Sequence, residues 1–215
     1  MLTPNAPDSP YYNNPREDVL SRVPDRVTRS LDLGCATGGF GAAVKAKTGC
    51  EVWGIEYVPE VASVATERLD KVFVGDCTEH MRTMESGSFD LITANDVLEH
   101  LAWPNEAMAE IHRLLSPTGV FLASLPNLRY WDTLRPLFWN GEFEYEDSGI
   151  RDRTHLRFFT RKSIERWFPA MGFQISAIDE LGRISSRKAR LLNLVTGGRF
   201  SDVFALQYLI VAKRA

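Results

Sequence analysis

The sequence predicts an α/β fold built on a doubly wound sheet, and two observations support this prediction. From Thr28 onward, apolar strand-like runs alternate with stretches that are helical or have the length of a crossover connection. A glycine-rich turn also joins the first run to a helical segment, as doubly wound sheets require at a ligand site. The runs read RSLDLG, CEVWGIE, KVFVGD, FDLITAND and GVFLASLPN.

The helical segments stop at glycine or proline. The segment GGFGAAVKAKTG ends at Gly49, and NEAMAEIHRLL is followed by Pro117 and Gly119. After Asn127 a long, irregular stretch rich in aromatic residues precedes a helix at TRKSIERWFPAMG and strands at FQISAIDEL and FALQYLIVAKR. A connection of that length is typical of a functional lid.

The composition of the chain is that of an ordinary globular domain. Its 215 residues are 44% hydrophobic and 25% charged, which excludes a disordered, collagen-like or low-complexity protein. No apolar run approaches the roughly 18 residues of a membrane span, and the opening residues lack the pattern of a signal peptide. We therefore expect a cytoplasmic protein. The three cysteines have no CxxC spacing, so neither a disulfide framework nor a zinc site is predicted.

Charge is distributed unevenly along the chain. Residues 1–150 contain 12 Lys and Arg against 23 Asp and Glu, a net charge of −11, whereas residues 151–215 contain 13 against 5, a net charge of +8. The basic third is suited to an anionic ligand, and a solvated or internally paired surface is the alternative.

The glycine-rich turn reads Asp32-Leu33-Gly34-Cys35-Ala36-Thr37-Gly38. A dinucleotide fingerprint needs Gly-x-Gly-x-x-Gly, and Ala36 stands at the second glycine position, which weakens a dehydrogenase interpretation without excluding it. The turn resembles instead the hallmark of class I, Rossmann-like S-adenosylmethionine (SAM)-dependent methyltransferases. The resemblance continues in order through GIEYVPE, VGDCTE and FDLITANDVLEHL and covers most of residues 29–180.

This resemblance implies a doubly wound, seven-stranded sheet with an antiparallel last strand, an N-terminal helix and an inserted lid. We interpret the chain as a single methyltransferase domain in four parts: residues 1–27 form an N-terminal cap, 28–127 the cofactor-binding core, 128–159 the lid or acceptor insertion, and 160–215 a C-terminal helix with the last two strands.

The implied cofactor is SAM, and S-adenosyl-L-homocysteine is the product. Glu56 ends its strand 22 residues after Gly34, where an ionised carboxylate can accept from both ribose hydroxyls. The resemblance places Asp76 at the adenine amino group, the Cys77 amide at a ring nitrogen, and the Asn95 carbonyl at the ammonium group. The other cofactor residues it implies are Asp32, Gly34, Cys35, Ala36, Gly38, Tyr57 and Asp96, with Tyr12 and Arg16 in a closing N-terminal helix.

The sequence after the fourth strand bears on the acceptor. Methyltransferases of nucleic acid bases often have Asn/Asp-Pro-Pro-aromatic there, and this chain has Asn95-Asp96-Val97-Leu98, so a nucleic acid partner is disfavoured. A hydroxyl acceptor loses its proton during methyl transfer, which requires a general base near the methyl group.

His155 is the preferred base candidate, with Asp152 three residues upstream to orient it in a dyad. The alternative is that this segment joins the lid to the sheet by hydrogen bonds. His100 is the second candidate, in either active-site contact or packing. No metal site is predicted, although Mg²⁺ assistance stays open because Asp96 and Glu99 lie near the expected site.

The segment GIRDRTHLRFFT resembles a signature of bacterial methyltransferases of cell-surface polysaccharide and nucleotide-sugar pathways. A set of basic residues is suited to phosphate, which favours a nucleotide-linked or lipid-linked sugar. The set comprises Arg151, Arg153, Arg157, Arg161, Arg183, Arg187, Lys188 and Arg190. We expect O-methylation of a hydroxyl on a sugar-containing or other small polar acceptor by a monomer or homodimer. The alternative is a non-catalytic SAM-binding accessory module that partners a metabolic enzyme.

Overall fold

The computed structural model describes residues 16–183 and 194–215 and contains one mixed sheet. Its strands are β1 (Arg29–Leu33), β2 (Glu51–Glu56), β3 (Lys71–Val74), β4 (Phe89–Asn95), β5 (Leu115–Pro126), β6 (Phe173–Leu181) and β7 (Gln207–Arg214). They lie in the order β3-β2-β1-β4-β5-β7-β6. Strands β1 to β5 pair in parallel, and β7 is antiparallel to both β5 and β6. The predicted seven-stranded α/β fold with an antiparallel last strand is confirmed.

Helices cover both faces of this sheet. They are α1 (Glu17–Leu20), α2 (Gly39–Thr48), α3 (Pro59–Ala65), α4 (Cys77–Arg82), α5 (Pro104–Leu114), α6 (Trp131–Asn140) and α7 (Arg161–Ala170), and short 3-10 turns span Leu98–His100 and Ser201–Phe204. One apolar cluster packs Phe40 of α2 against Val52, and the other packs Ile111 of α5 against Phe121. None of the described helices is long and apolar enough to cross a membrane.

The connection after β5 contains a helix that the sequence pattern did not predict. We expected irregular chain over residues 128–159, and α6 occupies its first part despite Pro136 inside it. Helix α6 is held by tertiary packing, since Thr133 is buried and Leu134 packs against Val203 and Phe204. Near its C-terminal end, the side chains of Phe138 and Trp139 are exposed.

The topology positions a ligand site. Strand β1 lies between β2 and β4, so the chain winds away from β1 in opposite directions on its two sides. In doubly wound sheets the loops at such a switch point separate, and ligands bind beyond the carboxyl ends of the strands there. The loops after β1, β2 and β4 therefore enclose the candidate site.

A substitution at Gly54, in the middle of β2, tests how closely the residues beneath this site are packed. A Cβ built there lies 2.5 Å from Cys35 Sγ and 2.8 Å from Leu69 Cδ1. We expect Gly54→Ala to lower the free energy of unfolding by about 1–3 kcal/mol, because a well-packed core does not accept an extra methyl group. Urea unfolding of Gly54→Ala, Cys35→Ala and the double variant measures this. If the clash is real, the double variant is more stable than the sum of the single effects predicts.

Candidate cofactor and acceptor site

A cavity of about 850 Å³ opens at the switch point. Its wall comes from the loops after β1, β2 and β4, from the start of α4, and from the lid segment at Thr154 and Leu156. The predicted site residues that line it are Arg16, Asp32, Gly34, Cys35, Ala36, Glu56, Tyr57, Asp76, Cys77, Asn95, Asp96 and His100. The cavity thus brings together residues that are far apart in the sequence.

The glycine-rich turn leaves room for a ligand and for its neighbours. Gly34 has φ +63°, and a Cβ there would lie 2.6 Å from Val97 Cγ2, so a side chain at position 34 would push into the loop after β4. Ala36 also has a positive φ of 49°, which is unusual for a residue with a side chain. Gly38 has a different role from the expected one, because its neighbours are Ala65 and Leu69 and it does not line the cavity.

Glu56 connects this turn to the end of β2. Its Oε2 accepts a hydrogen bond from the Ala36 amide (2.9 Å), and its Oε1 accepts one from the Val58 amide (2.9 Å). The side chain is nearly buried, and each oxygen retains acceptor capacity. The carboxylate is therefore held in one orientation and can still accept from a diol.

Asp76 and Cys77 form the neighbouring wall at the start of α4. Asp76 Oδ1 caps the helix by accepting from the amides of Thr78 (2.7 Å) and Glu79 (3.1 Å). Cys77 is buried, and burial raises the pKa of its thiol to about 11. The thiol is consequently neutral near pH 7, which agrees with a binding role rather than a reactive one.

Asp32 lies beneath the turn with a side chain that is almost inaccessible. The Thr93 hydroxyl donates to Asp32 Oδ1 at 2.6 Å. Burial raises the pKa of this carboxyl to about 7, and the charge of Glu56 acts in the same direction although the Thr93 bond opposes it. A cation bound in the cavity would favour the ionised form of Asp32.

Asp96 lies in the loop after β4, and several hydrogen-bond donors from other parts of the fold hold its carboxylate in place. Asp96 has φ 56°, and its carboxylate accepts from Arg16 Nη1 (2.9 Å), Ser124 Oγ (2.8 Å) and Gln207 Nε2 (3.1 Å). Beside it, the Asn95 side-chain oxygen is buried and accepts no hydrogen bond from the described residues. Such an unpaired acceptor beside a cavity is suited to a ligand donor. Tyr12, which we expected beside Arg16, lies outside the described residues.

The base candidates are arranged differently from the prediction. Asp152 Oδ1 accepts from the amide (2.8 Å) and hydroxyl (2.6 Å) of Thr154, and Thr154 Oγ1 is 3.0 Å from His100 Nδ1. His155 is buried, does not line the cavity, and places Nδ1 3.1 Å from the Ile150 carbonyl. The structure therefore does not form the expected Asp152–His155 dyad, because the Asp152 carboxylate turns toward Thr154 and orients His100 through it.

His155 approaches a second buried group, Glu99. Its Nε2 is 4.0 Å from Glu99 Oε1, and its ring contacts that of His100 edge to face with centroids 4.6 Å apart. Glu99 is completely buried, and burial raises the pKa of its carboxyl well above the usual range, with Asp96 adding to the effect. Burial, followed by His155, lowers the pKa of His100, so its imidazole is neutral near pH 7. Only His100 of these three lines the cavity.

The arginines that we expected to bind phosphate have protein partners. Arg151 donates to Glu146, Arg153 pairs with Asp147 (2.7 Å), and Arg157 donates to the Ala102 carbonyl. Arg161 pairs with Glu165, and Arg183 pairs with Glu180. The other members of the predicted set, Arg187, Lys188 and Arg190, lie outside the described residues. These contacts favour the alternative of an internally paired basic surface over a phosphate site.

Comparison with known proteins identifies the domain. A family model described as a methyltransferase domain matches residues 11–178. The chain belongs to the SAM-dependent methyltransferases. Solved structures agree on the fold: a SAM-dependent methyltransferase from Archaeoglobus fulgidus aligns over 95% of this chain and 89% of its own, with a TM-score of 0.65 and 16% identity. A possible histamine N-methyltransferase from Thermotoga maritima aligns over the same shares with a TM-score of 0.67 and 17% identity.

Curated relatives match this methyltransferase over part of their length. A ubiquinone biosynthesis O-methyltransferase from Xanthomonas axonopodis is 32% identical over 117 residues, 51% of this chain and 48% of the relative. An uncharacterised protein from Streptomyces fradiae is 35% identical over 160 residues, 71% of this chain and 42% of that protein. The chain thus spans about half the length of the curated relatives it matches.

The cavity fits SAM on its own chemistry. SAM supplies an electrophilic methyl group on a sulfonium, together with a ribose diol and an amino acid end. Glu56 presents an oriented carboxylate where a diol would bind, and Gly34 leaves the neighbouring wall open. Asn95, whose carbonyl the resemblance places at the ammonium group, also lines the cavity. Asp32 is positioned to balance positive charge from below.

Sequence reasoning missed Thr154 and Ser124 as site residues. Thr154 contacts His100 across 54 positions, and Ser124 contacts Asp96 across 28. No local motif marks either residue. The continuous apolar run around Ser124 in β5 was the available signal, since a hydroxyl within a fully buried strand needs a partner.

Glu56→Gln tests the diol contact. Replacing the carboxylate removes one acceptor and the charge, and hydrogen bonds to charged groups contribute about 1.5–3 kcal/mol. We expect the dissociation constant for SAM to rise about tenfold or more, measured by isothermal titration calorimetry. The control is Glu60→Gln on the exposed face of α3. Equal affinities of the two variants would remove Glu56 from the cofactor site.

Asp32→Asn tests the buried carboxyl through pH. The folded-state pKa of about 7 lies above the usual 3.8, so the folded protein retains a proton that the unfolded chain releases. The contribution of Asp32 to the free energy of unfolding therefore falls as pH rises through this window and levels off above it. We expect the stability of Asp32→Asn relative to the natural chain to increase by about 2–3 kcal/mol between pH 5 and pH 8. Urea unfolding at both pH values measures it, and a constant difference would contradict the buried, protonated state.

Proposed function

We propose that this single domain transfers the methyl group of SAM to a hydroxyl oxygen of a small polar acceptor. The observation that supports this is the continuity of one cavity, with Glu56 and Asp76 at one side and His100 with Thr154 at the other. The first side has the chemistry of a cofactor site, and the second offers an oriented, neutral imidazole. The name of the Xanthomonas relatives, which are O-methyltransferases of ubiquinone biosynthesis, agrees with an oxygen acceptor.

Methyl transfer is a displacement in line with the breaking carbon–sulfur bond, so the protein has to align the reactants and exclude water. Leu101 and Leu156 contribute apolar surface to the cavity near His100. The Asp152–Thr154–His100 arrangement keeps the imidazole fixed. These residues make the His100 corner the place where the acceptor hydroxyl loses its proton.

The finer acceptor class in this proposal is a sugar hydroxyl. The lid segment containing Thr154 and His155 supports it through its likeness to sugar-pathway methyltransferases, and exposed Phe138 and Trp139 offer ring surfaces for stacking. The paired arginines favour an acceptor that does not depend on a diphosphate. A cytoplasmic location and a monomeric or homodimeric state stay predictions.

Methyl-labelled SAM with separate pools of simple glycosides, nucleotide sugars, phenols, protein and RNA tests the reaction. We expect a methyl ether in a hydroxyl-bearing small-molecule pool, identified by mass spectrometry. Label in protein or RNA contradicts the acceptor class. Failure of every pool in the presence of tight SAM binding favours the accessory-module alternative.

His100→Asn tests the acceptor corner. The asparagine amide can replace Nδ1 toward Thr154 but has no counterpart to Nε2. We expect kcat to fall about a hundredfold or more, with the SAM dissociation constant within a few-fold of the natural value. The control is His112→Gln, since His112 packs on Phe173 away from the cavity. Unchanged turnover in His100→Asn would remove this corner from the reaction.

A further inference from the structure

Glu99, His100 and His155 form a cluster that the cofactor site leaves unexplained. Each offers one potential ligand atom, and these atoms lie within 4.8 Å of one another. Glu99 is completely buried, yet neither of its carboxylate oxygens has a hydrogen-bond partner among the described residues. Buried polar atoms without partners are rare in folded proteins, and a bound ion is one established reason for them.

The hydrogen bonds around the two imidazoles determine which nitrogens carry protons. His155 Nδ1 faces the Ile150 carbonyl, which can only accept, so Nδ1 is the donor and Nε2 of the neutral ring is left with a lone pair. The Thr154 hydroxyl gives its single proton to Asp152, so His100 Nδ1 must be the donor to Thr154 Oγ1. Nε2 of His100 is then unprotonated as well.

The cluster therefore brings two unprotonated imidazole nitrogens close to the buried Glu99 carboxyl, which a bound cation would hold in its ionised form. His155 Nε2 and Glu99 Oε1 are 4.0 Å apart, too far for a hydrogen bond. Two metal–ligand bonds of about 2.0–2.2 Å at a tetrahedral angle place their ligand atoms about 3.4 Å apart, so binding requires the two side chains to approach by roughly half an ångström. Imidazoles that ligate metals usually donate their other N–H to a carbonyl or a carboxylate-linked group, and His155 and His100 each have such a partner here.

We propose that Glu99, through its carboxylate, and His100 and His155, through Nε2, bind one divalent transition-metal ion. Two imidazoles with one carboxylate suit Zn²⁺, Fe²⁺, Co²⁺ or Mn²⁺ better than Mg²⁺ or Ca²⁺, which prefer oxygen ligands. The sequence predicted no metal site and left open only Mg²⁺ near Asp96 and Glu99, because His155 lies 55 positions beyond His100 and no spacing motif connects them.

The position of the ion would give it a role in catalysis, and this part of the inference rests on the proposed function. Of the three ligands, His100 lines the cavity, so an ion held there would lie on the far side of this imidazole and would act as a Lewis acid on an acceptor oxygen that reached it. With the ion bound, Nε2 of His100 is a ligand and no longer the base, and a divalent ion would lower the pKa of a bound hydroxyl. The O–H bond then breaks and its proton passes to solvent water. The oxygen forms a bond to the methyl carbon, and the carbon–sulfur bond breaks with its electron pair left on sulfur.

Binding is tested on the untagged full chain after chelator treatment and dialysis. Co²⁺ titration followed by visible absorption is expected to show d–d bands that saturate at one equivalent. Zn²⁺ titration calorimetry is expected to show the same stoichiometry. Glu99→Gln and His155→Gln should weaken Co²⁺ binding at least about tenfold, the scale on which losing part of a metal site acts. His112→Gln, which changes a histidine outside the cluster, should leave it unchanged.

SAM affinity of each variant, measured without metal, confirms that it is folded. Should Glu99→Gln not fold, His155→Gln and the metal titration of the natural chain still decide the question. Absence of stoichiometric Co²⁺ and Zn²⁺ binding, or equal binding by the natural chain and folded Glu99→Gln, overturns the metal site.

The two proposals fail in different ways. Metal binding needs no acceptor, so a saturable site in a protein that methylates no hydroxyl would reject the proposed function and retain the metal site. Hydroxyl methylation that is equally fast in chelator-treated and Zn²⁺-loaded protein would reject the catalytic role of the ion. Loss of turnover on chelation, with recovery on adding Zn²⁺ or Mn²⁺, supports both.

Discussion

Two backbone hydrogen bonds join the lid to the 3-10 turn that follows β4, and the acceptor side of the site depends on them. The Glu99 carbonyl accepts from the amides of Leu156 (2.8 Å) and Arg157 (3.0 Å). These bonds hold the lid segment over the carboxyl end of β4. They bring Thr154 to His100 and His155 to Glu99, although neither contact is local in sequence. Without them, the cavity would have a cofactor wall and no opposite wall.

The two halves of the cavity are built by different physical means. On the cofactor side, backbone conformation determines the shape of the wall. Gly34, Ala36 and Asp96 have positive φ, and Glu56 connects the first turn to β2. Strain of this kind persists only where surrounding structure enforces it, and it is common at functional sites. On the acceptor side, side-chain hydrogen bonds decide, through Thr154 and its partners.

The basic residues after residue 150 have a different role in the structure from the one that the sequence suggested. The basic excess after residue 150 suggested an anionic ligand, yet Arg151, Arg153 and Arg157 are engaged with neighbouring carboxylates or carbonyls. Exposed pairs of this kind contribute little to stability. Their effect is on geometry, since Arg157 and Ala102 connect the lid to the loop that follows β4.

The sequence by itself determined the α/β fold and the glycine-rich turn, because periodicity and glycine placement are local properties. It also predicted Glu56, Asp76 and Asn95 as site residues from their places at or just after strand ends, and all three line the cavity. Only the tertiary structure decided how Asp152, Thr154, His100, His155 and Glu99 pair. The two segments that contain them are more than fifty positions apart, and spacing along the chain says nothing about which carboxylate a distant imidazole will meet.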